Sequence, residues 1–231
     1  MVSFYVCGLV FMPMAGALLS YGTGKKDKKA RDYFVVGVEV LEFVLAVLLL
    51  FRYTSGSMTE NMTKLSEICG MGMKFSVDGF RAVYVCIAAF MWMGTALFSV
   101  EYFGHYRNRN RYYLFQLITL GATEAIFLSA DLYTTFVFFE IMSFASYVWV
   151  AQDERTQSLR AAGTYLAVAV IGGLVMLMGL FLLYHQAGTL EIDKLYEACR
   201  GKDVYAAALC MLVGFGAKAG MFPLHIWLPK A

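Results

Sequence analysis

Five ionisable side chains lie inside long apolar runs of the sequence: Glu39, Glu42, Glu124, Glu140 and Lys218. A charged side chain at the centre of a bilayer costs about 2.5 to 3.5 kcal/mol on insertion scales. Each of these residues must therefore face the interior of a helix bundle, where it is paired, neutralised or hydrated. Buried acids and amines of this kind are suited to the transfer of protons or cations.

Glu140 lies in the middle of the apolar run 132–150, and a polar seam is predicted on its helical face. Ser143 and Tyr147 follow it by three and seven positions, so the three side chains share one side of a helix. Such a seam can hold the carboxylate, or water beside it. The alternative is a structural glutamate that is hydrogen-bonded to a neighbouring helix.

Lys218 stands just before a predicted helix break. Gly220 loosens the helix and Pro223 has no N–H for the carbonyl of Ala219, so an interruption is expected near Pro223. Interrupted helices at membrane depth line hydrated cavities and often mark ion sites in transporters. Two other interpretations stay open: Lys218 snorkels to an interface, or Gly216 and Gly220 make a close helix contact.

An acid and an amine that are both removed from water can load and release a proton. Burial favours the neutral form of each group and mutual attraction favours the charged forms, so separating them changes their protonation. Glu140 and Lys218 are the predicted pair. Glu124 is a candidate further step, with a protonated glutamate bonded between helices as the alternative. For Glu39 and Glu42 the favoured interpretation is packing against other spans or another subunit.

Membrane-spanning helices are the elements predicted to position these residues. Of the 231 residues 60% are apolar and 16% are charged, and the mean hydropathy is +0.62, whereas a soluble domain carries about a quarter charged residues. The fold class is therefore all-α, a polytopic bundle of about seven spans with the seventh helix interrupted. The apolar runs are 2–20, 33–51, 80–103, 112–129, 132–150, 161–184 and 204–219.

The connections between the runs predict the topology. Residues 53–77 are expected to form a polar loop, and residues 189–203 a short helix at the membrane interface. Short connections on one side are rich in basic residues, which predicts that this side is cytoplasmic and that the N-terminus lies outside. These residues are Lys25, Lys26, Lys28, Lys29, Arg31, Arg107, Arg109, Arg111, Arg155 and Arg160, and His105 lies in the same basic loop as Arg107. The opposite loops carry Arg52, Lys64, Lys74, Lys194, Arg200 and Lys202, so the bias is clear only in the short loops.

Sequence motifs for a catalytic site are not found. The five cysteines are scattered without the close spacing of a zinc or iron–sulfur site. We therefore predict free cysteines, no metal site, no cofactor bound by this chain and no catalytic residue of its own. A net charge of +2 gives no sign of a nucleic-acid partner. The cysteines are Cys7, Cys69, Cys86, Cys199 and Cys210.

Residues 131–143 and 218–229 resemble the antiporter-like subunits shared by respiratory complex I (NADH:quinone oxidoreductase), membrane-bound hydrogenases and Mrp-type cation/proton antiporters. The resemblance extends from about residue 78 to the end. It implies a division into N-terminal helices with a polar loop, 1–77, and the start of a proton-translocating domain, 78–231. It also implies that Glu140 and Lys218 handle protons and that Pro223 marks the break.

Other positions fit the family less directly. Asp131, His225 and Trp227 fall on family positions with structural or water-organising roles, and His225 is kept with Glu124 as a candidate for the proton path. Lys230 stands where many relatives have aspartate, which favours the hydrogenase-like branch. The run 161–184 has no lysine or internal histidine, so a relay through it would need water or His185 at its end.

The family fold has about fourteen helices with two inverted five-helix repeats, so we expect this chain to be its N-terminal half, incomplete at the C-terminus. The main prediction is a proton- or cation-translocating subunit of a redox-driven respiratory or hydrogenase complex in a prokaryotic inner membrane. Redox cofactors are then expected on partner subunits. The alternatives are a subunit of a multisubunit sodium/proton antiporter and a membrane subunit that does not pump. Expected partners are the lipid bilayer, other membrane subunits, and protons or sodium ions.

Overall fold

Helices dominate the computed structural model, which describes residues 2–56, 62–65, 72–106 and 108–230. Cys69 and Arg107, and the side chains of Lys64 and His105, lie outside the described residues. The elements are α1 (Val2–Val6), a π-helical turn (Cys7–Phe11), α2 (Met12–Lys26), α3 (Lys28–Thr54), β1 (Met62–Leu65), β2 (Met73–Ser76), α4 (Gly79–Tyr102), a 3-10 turn (Phe103–His105), α5 (Arg109–Leu128), α6 (Leu132–Val150), α7 (Thr156–Ala187), α8 (Ile192–Cys199), α9 (Tyr205–Ala219) and a final 3-10 turn (Leu224–Trp227).

Six stretches of the described residues are long and apolar enough to cross a membrane, and they confirm the polytopic all-α fold class. The fourth predicted span, 112–129, forms α5 but is less apolar, because it carries polar residues such as Gln116, Thr119 and Glu124. A helix that packs among other helices tolerates such residues, and eleven of the 20 residues of α5 are buried. The six are Ser3–Lys26, Lys28–Thr54, Gly79–Tyr102, Leu132–Val150, Thr156–Ala187 and Tyr205–Trp227.

Met1–Ser129 form one compact unit, in which α2, α3, α4 and α5 pack together. Pro13 has no N–H for the carbonyl of Leu9, and the π-helical turn, which includes Leu9, ends two positions before this proline. Gly121 of α5 lets the backbone come close, since a Cβ there would lie 2.5 Å from the carbonyl oxygen of Val10. The predicted polar loop 53–77 contains an unpredicted antiparallel hairpin, β1 with β2.

Ala130–Ala231 form a second compact unit, in which small residues bring α7 and α9 together. A Cβ on Gly214 would lie 2.9 Å from the carbonyl oxygen of Gly172, and a Cβ on Gly179 would lie 3.0 Å from that of Ala207. Small residues at such positions allow two transmembrane helices to approach closely. The short helix predicted within 189–203 is present as α8, and none of its residues is buried.

The predicted interruption of the seventh span is present, but it begins before Pro223. Helix α9 ends at Ala219, and Gly220 follows in the left-handed conformation with φ of 71°. The N–H of Met221 then bonds back to the carbonyl of Gly216 at 2.8 Å. Glycine adopts this conformation at little cost, so the helix is ended by its C-terminal glycine and Pro223 lies in the turn beyond it.

Candidate functional site

Glu140 projects from α6 onto the backbone of α7. A Cβ built on Gly173 would lie 2.8 Å from the carboxyl carbon of Glu140 and 2.9 Å from Oε2, so the missing side chain leaves room for the carboxylate. Oε1 is buried and has no hydrogen-bond partner among the described residues. A buried carboxyl oxygen without a protein partner is available to a proton or a water molecule.

Lys218 extends from α9 to α7, where its ammonium donates a hydrogen bond to the hydroxyl of Tyr165. Its Nζ also lies 4.6 Å from the centre of the Tyr165 ring. The Tyr165 hydroxyl in turn donates to the carbonyl of Ser143 on α6 at 3.1 Å. Tyr165 therefore connects the amine of α9 to the backbone of the helix that carries Glu140.

Glu140 and Lys218 are electrostatic neighbours without being in direct contact. Each acts as a charge on the other, yet within the described part of the chain no hydrogen bond or salt bridge joins them. They meet α7 at the same level: Glu140 lies against Gly173, and Ala217, which precedes Lys218, lies against Gly172. The structure thus brings the predicted pair together around α7, with the Tyr165 hydroxyl as a further polar group.

Trp227 ties the segment beyond the break back onto this site. Its indole Nε1 donates to the carbonyl of Ala217 at 2.9 Å, and its ring meets that of Tyr165 edge-on with centroids 5.1 Å apart. Asp131 caps α6 by accepting a hydrogen bond from the N–H of Thr134 at 2.6 Å. These contacts agree with the structural roles expected for Trp227 and Asp131.

The predicted polar seam lies on α6, but Ser143 does not hold the Glu140 carboxylate. The Ser143 hydroxyl donates to the carbonyl of Phe139 at 2.8 Å, because a serine inside a helix readily bonds back by four residues. Tyr147 is partly buried. His225 is exposed beyond the break and stacks on Phe222 with ring centroids 5.6 Å apart, so it lies outside the group around Glu140.

A second group of carboxylates is buried in the first unit. Glu39, Glu42 and Glu124 are each at most 1% exposed, and their carboxyl oxygens have no hydrogen-bond partner among the described residues. Glu42 interacts electrostatically with both of the others. The amide of Gln116 on α5 is equally buried and lacks a partner in the described part of the chain. Because three uncompensated charges cannot be buried together, these acids must carry protons or hold a cation.

The sequence interpretation overlooked Tyr165 and Gly173. The absence of lysine and internal histidine from the run 161–184 indicated that a relay through it needs water or His185 at its end. A tyrosine hydroxyl inside an apolar run is, however, itself a polar group that needs a partner. The adjacent glycines Gly172 and Gly173 were a second signal, since paired small residues in a span mark the close approach of another group. Those two signals together would have placed α7 beside the predicted pair.

A family model matches the C-terminal part of the chain. The family model described as NADH:quinone oxidoreductase/Mrp antiporter, TM, matches residues 129–231, which include Glu140, Tyr165 and Lys218. Residues 129–231, somewhat less than half of the chain, are therefore similar to this antiporter-like family. The match coincides almost completely with the second compact unit.

Curated relatives extend the similarity across the chain. A putative antiporter subunit mnhD2 of Staphylococcus haemolyticus (strain JCSC1435) is 30% identical over 229 residues, covering 96% of this chain and 45% of the relative. A relative from Alkalihalophilus pseudofirmus, named as a subunit of an Na(+)/H(+) antiporter, is 26% identical over 196 residues, covering 81% of this chain and 40% of the relative. The chain therefore spans less than half the length of these relatives.

Two solved structures share the fold. A chain of the membrane-bound sulfane sulfur reductase, an archaeal respiratory membrane complex, matches with a TM-score of 0.86 and 20% identity, covering 97% of this chain and 47% of that one. A chain of the Mrp complex from Dietzia sp. DQ12-45-1b matches with a TM-score of 0.82 and 20% identity, covering 99% and 43%. These structures show the fold, and the six long apolar helices of the described residues support an integral membrane protein.

The names of the relatives bear on the finer predictions. They do not confirm an NADH–quinone oxidoreductase or a hydrogenase complex, and redox partners are not shown. The preference for the hydrogenase-like branch, which rested on Lys230, gains no support from the curated relatives described above, both of which are named as antiporter subunits.

Proposed function

We propose that this chain translocates protons or cations through the group formed by Glu140, Tyr165 and Lys218. The observation that carries this proposal is the hydrogen bond from the Lys218 ammonium to Tyr165, together with the unpartnered carboxyl oxygen of Glu140 beside the same helix. An amine and an acid removed from bulk water form a site that can exchange a proton, and here the Tyr165 hydroxyl accepts from the amine and donates to the backbone of the helix that carries the acid.

The coupling is electrostatic. While Lys218 is charged, it stabilises the nearby Glu140 carboxylate. Loss of the Lys218 proton removes that positive charge, and the Glu140 carboxylate then takes up a proton and becomes neutral in its buried position. Tyr165 keeps a hydrogen-bond partner in both states, because its hydroxyl accepts from an ammonium and can donate to a neutral amine.

Sodium/proton antiport is the driving reaction that we favour. Its support is the naming of the curated relatives, one of which is named as a subunit of an Na(+)/H(+) antiporter. A redox-driven complex is the second candidate, because the chain has the fold of a subunit in an archaeal respiratory membrane complex. In either case we propose that the chain works with other membrane subunits in a prokaryotic plasma membrane, with its N-terminus outside as the Lys and Arg distribution indicates.

Glu124 is proposed as a further proton-carrying residue, since it is fully buried and interacts electrostatically with Glu42. His225 is the weaker member of the proposed path, because it is exposed beyond the helix break. Pro223 and Gly220 are proposed to keep that break open beside Lys218. Ser143 contributes its backbone carbonyl as the acceptor for Tyr165.

The test is transport by the complete membrane assembly carrying Glu140→Gln or Lys218→Met, reconstituted in liposomes with a fluorescent pH indicator. Each variant should lower proton transport at least tenfold, because each removes one of the two charges. Matched controls are Glu197→Gln and Lys194→Met on α8, whose side chains are 71% and 67% exposed. Both controls should transport like the unaltered assembly.

Normal transport by assembled Glu140→Gln and Lys218→Met would exclude the proposed pair and favour a subunit that does not pump. The driving reaction is tested separately. Proton flux that depends on sodium and needs no redox donor supports antiport, whereas flux that appears only with a redox donor, in an assembly that contains iron–sulfur or nickel–iron proteins, supports the redox-driven alternative.

A further inference from the structure

A basic cavity of about 810 Å³ opens at one end of the first unit, where α2 ends and where α3 and α5 begin. Five cationic side chains line it, and the described lining residues include no aspartate or glutamate. They are Lys25, Lys28, Arg31, Arg109 and Arg111. A cavity with this charge is suited to an anion.

The floor of the cavity is built from a buried ion cluster that keeps an excess of positive charge. Arg31 is 1% exposed, and its guanidinium donates to the carboxylate of Asp32 at 2.6 Å and to the side chain of Asn110. Arg109 donates to the other oxygen of Asp32 at 2.8 Å. Two arginines thus share one carboxylate, so one positive charge of this cluster is not neutralised by it.

Gly24 of α2 fits this cluster closely. A Cβ at Gly24 would lie 2.8 Å from Cδ of Arg31 and 2.8 Å from Cγ of Asn110, so the absent side chain lets both residues pack under the end of α2. The N-terminus of α5 begins at Arg109 beside the cavity. The partial positive charge of a helix N-terminus adds to the attraction for an anion.

Besides the cations, Gly104, Asn108 and Asn110, the cavity has an apolar and aromatic wall. Tyr21, Tyr106, Leu114 and Phe115 line the cavity together with the cationic groups. Its position is also that of a membrane interface, because one candidate span ends at Lys26 and the next begins at Lys28. Basic pockets between spans at this depth hold the headgroups of anionic lipids, whose glycerol and acyl chains need an apolar wall.

We propose that this cavity binds the phosphate-bearing headgroup of an anionic membrane lipid. The phosphate lies among the lysines and arginines, and the glycerol and upper acyl chain lie against the tyrosines, Leu114 and Phe115. A free phosphate ion is negatively charged like the headgroup, but it has no apolar part that could pack against the apolar wall. Such a lipid would hold together the ends of α2, α3 and α5.

The test uses the full chain in its membrane assembly, placed in nanodiscs of phosphatidylcholine with a minor fraction of phosphatidylglycerol. Lipids retained by the protein are counted by native mass spectrometry. The variant Lys25→Gln with Lys28→Gln removes two exposed lining cations without touching the buried floor. Lys26→Gln with Lys29→Gln is the matched control, since these exposed lysines belong to the same connection but do not line the cavity.

Phosphatidylglycerol should be enriched on the unaltered protein and on the control. The lining variant should bind it roughly thirtyfold more weakly, as expected for the loss of two cations near a lipid surface. Equal loss in both double variants would overturn the proposal, because it would indicate general surface attraction. A phosphate ion retained in pure phosphatidylcholine, with no enrichment of phosphatidylglycerol, would overturn the lipid as the occupant.

Discussion

Replacement of Gly173 by alanine should displace the Glu140 carboxylate and leave the helices assembled. The new Cβ would lie closest to Oε1 of Glu140 and 2.9 Å from Oε2, whereas ordinary contact begins at 3.4 Å. The carboxylate is the end of a flexible side chain, so it can move away from the new methyl group while the backbone stays in place. A misplacement of about 1 Å can cost on the order of a hundredfold in a positioned reaction.

We therefore expect Gly173→Ala to lower proton transport by roughly tenfold to a hundredfold, measured in liposomes that contain the complete assembly. Two other glycines of α7 serve as comparisons. A Cβ on Gly163 meets no atom within 4 Å, so Gly163→Ala should transport normally. A Cβ on Gly172 meets Ala217 and the backbone of Gly214, so Gly172→Ala should destabilise the α7–α9 contact by about 1 to 3 kcal/mol.

The three variants separate two effects of an added methyl group. Gly172→Ala reports on helix packing, through the thermal stability and yield of the assembly. Gly173→Ala reports on the position of the carboxylate, through transport at normal yield. If Gly173→Ala assembles and transports as fast as Gly163→Ala, the placement of Glu140 against α7 does not matter and the reasoning is refuted.

Two further predictions concern Lys218 and the helix break. Tyr165→Phe removes the hydroxyl that accepts the hydrogen bond from the Lys218 ammonium. Such a bond to a charged group is worth about 1.5 to 3 kcal/mol, so proton transport in liposomes should fall by roughly ten- to a hundredfold. Unchanged transport would exclude Tyr165 from the path. Gly220→Ala forces a Cβ into the left-handed region and onto Leu228, whereas Gly188→Ala meets only the backbone strain of about 1 to 2 kcal/mol. The thermal stability of the assembly should therefore fall more for Gly220→Ala, and equal losses would contradict this account of the break.

Hydropathy and charge predicted the membrane-spanning architecture because both reflect composition over some 20 residues. The boundaries depended on local chemistry. Pro223 predicted a break, but the helix ends at Ala219 and is capped by Gly220, since a left-handed glycine satisfies the last carbonyls before the proline is reached. The hairpin within 53–77 could not be predicted, because its strands are four residues each and its pairing is not encoded in a periodic pattern.

The site was predictable in its charges and less so in its contacts. Glu140 and Lys218 stood out because charges inside apolar runs are costly. Helical spacing placed Ser143 on the face of Glu140 but could not indicate that its hydroxyl bonds to its own helix. The contribution of α7 through Tyr165 and Gly173 depends on how separate helices pack, which periodicity along one helix does not specify.

The Tyr165 hydroxyl bears directly on how the proposed pair can work. A direct ion pair between Glu140 and Lys218 in a medium of low dielectric constant would be costly to separate, and its charges would be fixed. In the observed arrangement Lys218 bonds to Tyr165, and Glu140 keeps one unpartnered oxygen within electrostatic range. The electrostatic attraction between Glu140 and Lys218 then lets the protonation of one group change the protonation of the other, while the two groups do not form a direct ion pair. A translocating site needs both properties, because each group must exchange its proton with the path on its own side in every cycle.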